Sequence, residues 1–190
     1  MKPFDAHGYV QVQGLRVFHA RLHLHWTALG LAACLLVGRI RRPAEALAAV
    51  GCYFGVILLH EIGHAVMARR LGYRAPVIRL SFMHGVCEID APASRRDEIF
   101  IAWGGVLAQV AVAIPLVALA QVRGAMAQPF VALVIVSFGN ASLLLALLNL
   151  LPIPGLDGAT TWRIVPLLWR DWRVRGTARK AAQDLLRRLR

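Results

Sequence analysis

Hydrophobic positions in this chain do not alternate with polar ones over most of its length; they run together. Four apolar stretches stand out: Leu22–Gly38, Ala44–Ala68, Ile99–Val122 and Pro129–Leu151. Each is near the ~20 residues that a helix needs to cross a bilayer. The first is short and opens on two histidines, His23 and His25. Pro115 lies inside the third, where a kink is tolerated in a membrane helix. Between the second and third runs, "VIRLSFMHGVCEI" (Val77–Ile89) is rich in β-branched residues and carries a glycine at 85. It predicts a short hairpin at or dipping into the membrane surface. The expected fold class is therefore an all-α polytopic membrane protein, with about four transmembrane helices and one membrane-surface β-hairpin. Three parts follow: a cytoplasmic N-terminal segment (1–21), a transmembrane core (22–168) and a basic amphipathic tail (169–190).

Composition supports this reading. Of 190 residues, 58% are hydrophobic and 17% charged, against about half and a quarter in soluble domains. The formal net charge of +12 does not point to nucleic acid, because the basic residues cluster between apolar runs. With the N-terminus inside, the inner segments carry 18 Lys and Arg and the outer ones 4. Both termini are thus expected in the cytoplasm. Arg39, Arg41 and Arg42 pull the other way after the first run. Residues 1–21 show no cleavable signal peptide. The three cysteines have no metal or disulfide spacing; Cys34 and Cys52 read as apolar filler.

The second run contains "HEIGH" at 60–64. On a helix His60 and His64 fall one turn apart on one face, so both imidazoles reach one ion, with Glu61 beside them. H-E-x-x-H supplies two zinc ligands and a general base. Ionisable groups in a spanning helix are costly and call for a partner, which one zinc ion per chain would supply. Catalytic zinc usually keeps three protein ligands, and two candidates exist for the third. Glu88 lies on the hairpin. Asp157 lies in "NLLPIPGLDG" (Asn149–Gly158), after a helix break at Pro152 and Pro154. Asp157 is the better placed, since His60 lies about 12 Å from the cytoplasmic end of its run at helical rise and the opposite-running fourth span brings Asp157 to a similar depth.

An H-E-x-x-H in a membrane span followed by N-x-x-P-x-x-x-L-D-G resembles the site-2 protease family of intramembrane zinc metalloproteases. The resemblance implies His60, His64 and Asp157 as zinc ligands and Glu61 as catalytic base. Asn149, Pro152 and Gly158 are the other members of the second motif. "RLHLHWTALG" (Arg21–Gly30) resembles the His-Trp-Ser opening of bacterial members. "WGGVLAQ" (Trp103–Gln109) departs from the family's Gly-Pro…Asn pattern, and Ala159 stands where a second glycine is common. The family's accessory PDZ and CBS domains are expected to be absent, as in a short bacterial-type member.

The function implied is a zinc endopeptidase that cuts membrane-anchored proteins within or near their transmembrane segments, as in regulated intramembrane proteolysis, in the bacterial inner membrane. Its partners are the substrate and the bilayer, with room for a regulatory membrane protein or a homo-oligomer, and no nucleic acid. A non-proteolytic zinc binder has no need of Glu61. A small transporter would also use the break before Asp157, but no internal repeat supports it. The hairpin either holds unwound substrate by β-addition or packs over the site. Asn140 serves helix packing or binds substrate backbone. His84 and Cys87 read as structural or surface residues, and His7, His19, His23 and His25 as interfacial.

Overall fold

The computed structural model describes residues 7–82, 84–170 and 172–175. Most of the basic tail expected to be amphipathic lies outside them. Two strands come first, β1 (Tyr9–Val17) and β2 (Ala20–His25), then α1 (Trp26–Gly38) and the long α2 (Pro43–Arg70). The expected hairpin follows as β3 (Val77–Leu80) and β4 (Gly85–Glu88), then α3 (Arg95–Leu119). A helix α4 (Pro129–Asn149) contains a π-helical stretch, Ile135–Ala141. The short α5 (Gly158–Thr161) closes the core.

Local chemistry sets the helix ends. Pro43 opens α2, Glu45 sits in its first turn, and Arg69 and Arg70 in its last, charges that complement the helix dipole. Ser94 caps α3, its side chain accepting the Asp97 N–H at 3.1 Å. α2, α3 and α4 are long and apolar enough to cross a membrane. They leave large apolar side chains facing outward; Ile114 is 60% exposed and Leu147 64%, as a lipid-facing surface requires.

The first apolar run behaves differently from the other three. Its start is strand β2, and the helix that follows has only 13 residues, about 20 Å at helical rise against the ~30 Å of a bilayer core. The reason is period: Leu22, His23, Leu24 and His25 alternate apolar and polar, which is strand patterning. The sheet is also larger than one hairpin. Its order is β1-β2-β3-β4, with β2 and β3 parallel and the outer pairs antiparallel. Leu22 pairs with Ile78, and Ile78 with Cys87. Ala20, Leu22, Ile78 and Leu80 pack on Ile57 and Ala65 of α2, so the sheet covers the half of α2 that carries the histidines. On its other side α2 meets α3 through glycines: a Cβ at Gly104 would lie 2.5 Å from the Gly63 carbonyl oxygen.

Candidate metal and catalytic site

His60 and His64 are buried on α2, with ring centroids 4.6 Å apart and ring planes at 86°. Their Nε2 atoms are 3.0 Å apart. Both Nδ1 atoms are already engaged. His64 Nδ1 lies 2.8 Å from the Ile101 carbonyl oxygen, which can only accept, so Nδ1 carries the proton. His60 Nδ1 lies 3.0 Å from Gln109 Oε1. These partners leave both Nε2 lone pairs pointing into the site.

Asp157 completes the cluster. Its Oδ2 lies 2.8 Å from His60 Nε2 and 3.2 Å from His64 Nε2, and it is buried without an aligned hydrogen-bond donor. The three ligand atoms fall within 4.8 Å of one another. Two imidazole lone pairs and a carboxylate converging on one point repel one another unless a cation sits among them. This donor set therefore fits zinc.

The chain reaches this point because α4 ends at Asn149 and Pro152 and Pro154 forbid its continuation. Gly155 then takes φ +94°, a backbone state that favours glycine. A side chain at Gly158 would strike the carbonyls of Leu150 and Leu151. Two indoles pin the segment: Trp162 Nε1 donates to the Leu150 carbonyl at 2.6 Å, and Trp103 Nε1 on α3 to that of Thr161 at 3.3 Å.

Glu61 is buried and lies under β4. A Cβ at Gly85 would stand 2.5 Å from Glu61 Oε1, and the backbone of Cys87 interacts with the carboxylate. Burial first, and then the charges of Glu61 and Glu88, push the Cys87 thiol up to about 12. On the far side, a Cβ at Gly105 would lie 2.6 Å from His64 Nε2 and 2.7 Å from His60 Nδ1. The site opens into a cavity of about 710 Å³ between β4 and the 153–157 segment.

Of the residues singled out in the sequence, the structure brings His60, Glu61, His64, Asn149 and Asp157 to this cavity. Asn149 Nδ2 is 3.4 Å from His60 Nε2. Pro152 is exposed at the break and Gly158 buried beneath it. Glu88 stays on the sheet, 2.9 Å from Arg79, away from the cluster. Asn140 is exposed in the π-helical stretch and does not line the cavity. His84 and Cys87, read as structural or surface residues, do line it. Gln109 and Gly105 are the contributors that sequence patterning did not bring out.

No family model matches the chain. It is 30% identical over 164 residues to a protein described as "Putative zinc metalloprotease Rip3" from two strains of Mycobacterium tuberculosis. The alignment covers 78% of this chain and 41% of those relatives, so the chain spans well under half their length. The fold is that of a solved structure, the site-2 protease from Methanocaldococcus jannaschii. The match has a TM-score of 0.65 and 21% identity, and covers 83% of this chain and 71% of that one.

Proposed function

We propose that this chain is a member of the site-2 protease family and a zinc-dependent endopeptidase that cuts membrane-anchored proteins within or near their transmembrane segments, a reading supported by its similarity to a zinc metalloprotease and its fold. One observation carries the reading: His60, His64 and Asp157 converge on one point with Glu61 beside them in the same cavity.

When bound by these three side chains, zinc supplies a Lewis acid that polarises a peptide carbonyl and acidifies water. The chain's own residues do the rest. Gln109 and Ile101 fix the imidazole tautomers. Glu61 takes a proton from the attacking water and passes it to the departing amine. A substrate helix must unwind to expose its carbonyls, and β4 supports a way to hold it. Among the described residues it is the end strand of the sheet and lines the cavity, so its outer edge can take an added strand.

The protein is read as multi-pass, with both termini cytoplasmic, on the 18-to-4 asymmetry of basic residues. Its partners are the membrane-anchored substrate and the bilayer, with a regulatory membrane protein or a second copy as further candidates. The test is mass spectrometry of membrane peptides from cells carrying the native protein and from cells carrying Glu61→Gln. New termini inside or beside apolar segments, present only with the native protein, are expected. Identical peptide sets would contradict the reading.

A further inference from the structure

The His25-Trp26-Thr27 sequence at the start of α1 plays no part in the chemistry above, yet its contacts lead to the site. Thr27 Oγ1 lies 2.7 Å from His25 Nδ1, and the Thr27 N–H donates to the same nitrogen at 3.3 Å. With His25 Nδ1 accepting, the Thr27 hydroxyl donates to it and keeps its lone pairs free. One of them accepts the N–H of Phe82, at 3.3 Å. The Phe82 carbonyl accepts in turn from the hydroxyl of Tyr53 on α2. Both backbone polar groups of this one residue are therefore held by side chains of different helices.

Phe82 lies in the β3–β4 turn, the link to the strand that covers Glu61. Across the turn, the Ser81 N–H and Ser81 Oγ both donate to the His84 carbonyl, at 2.9 and 2.8 Å. Displacement at Phe82 thus carries through His84 to Gly85, which packs against Glu61. We infer that Thr27 and Tyr53 are positioning residues, a two-point latch on Phe82 that holds β4 against Glu61 and sets its outer edge for substrate. The role in substrate binding rests on the proposed protease function; the latch itself is a matter of structure.

The test needs no active enzyme for its first readout. In the full chain in detergent, maleimide labelling is followed at Cys87 on β4, with exposed Cys34 as reference and buried Cys52 as a monitor of the fold. Thr27→Val and Tyr53→Phe should each raise Cys87 labelling relative to Cys34 about tenfold, the population change expected from losing one hydrogen bond. Thr27→Ser, which keeps the hydroxyl, should behave like the parent. Zinc content should not change in any of them. Where the parent cleaves a membrane-helix peptide, the two latch variants should raise KM by a larger factor than they lower kcat. Unchanged Cys87 labelling in both variants, or Thr27→Ser behaving like Thr27→Val, would overturn the latch. So would exposure of Cys52 in both variants, which would make the two side chains general supports of the core. A parent that cleaves nothing while the labelling follows the expected pattern would remove the protease reading and leave the latch standing.

Discussion

Gln109 Oε1 lies 3.0 Å from His60 Nδ1, and an oxygen acceptor there puts the proton on Nδ1 and leaves the Nε2 lone pair to the site. Gln109 is fully buried on α3, so the contact is shielded from water. Gln109→Leu keeps much of the volume and removes the acceptor. Zinc affinity is expected to fall about 10–100-fold, as for other groups that orient a metal-ligating histidine. Chelator competition on the purified protein checks it.

Gly85 and Gly105 close the site from opposite sides, and their substitution should separate two functions. Gly85→Ala places a methyl group against the Glu61 carboxylate. Cleavage should fall toward the roughly 10²–10⁴-fold that a positioned general base contributes, while zinc content holds. Gly105→Ala places the methyl against both imidazoles, and zinc content itself should fall. Metal analysis and cleavage on the same preparations distinguish the two outcomes.

Much of this arrangement was legible in the sequence, and the remainder has physical reasons for being hidden. α2, α3 and α4 follow from continuous apolar runs, and β3–β4 from β-branched residues around Gly85. The N-terminal hairpin was missed although Val10 and Val12 alternate with Gln11 and Gln13 as in a strand, because Gly14 ends the alternation after one short stretch and the second strand, β2, merges into the first apolar run. His60, His64 and Asp157 were legible because short motifs hold them. Gln109 was noticed only as a departure from the family pattern, since a single glutamine in an apolar helix says nothing of its neighbour until two helices are packed. The same holds for His84 and Cys87, whose side of the hairpin is settled by strand register. Asn140 also carried a polar signal in an apolar run, yet it is exposed and does not line the cavity.

Cys87 offers a pH test of how closely β4 is packed. Its thiol is pushed up to about 12, chiefly by burial. The protonated form is therefore favoured throughout the neutral range, and the reactive thiolate grows about tenfold per pH unit up to that value. Iodoacetamide should modify Cys87 far more slowly than exposed Cys34 at pH 8, with the Cys87 rate still climbing at pH 10. Equal rates at pH 8 would show that β4 is not packed as described.

The orientation in the membrane is open to direct labelling. Single cysteines introduced at exposed Ala93 and at residue 125 of a cysteine-free variant should be reached by a membrane-impermeant maleimide from opposite sides. Residue 93 is expected inside and residue 125 outside, on the charge asymmetry of the connecting segments. The reverse pattern would invert the protein and turn its cavity away from the cytoplasm.

The central claim is that Asp157, and not Glu88, joins His60 and His64 in holding the metal. Asp157 Oδ2 is 2.8 Å from His60 Nε2, whereas Glu88 is paired with Arg79. Zinc competition with a chelator, run on Asp157→Ala and Glu88→Ala beside the parent, tests this most directly. Asp157→Ala should weaken zinc binding by at least the 10–100-fold typical of supporting groups, and Glu88→Ala should bind like the parent. Release of the metal by Glu88→Ala, with Asp157→Ala retaining it, would contradict the account.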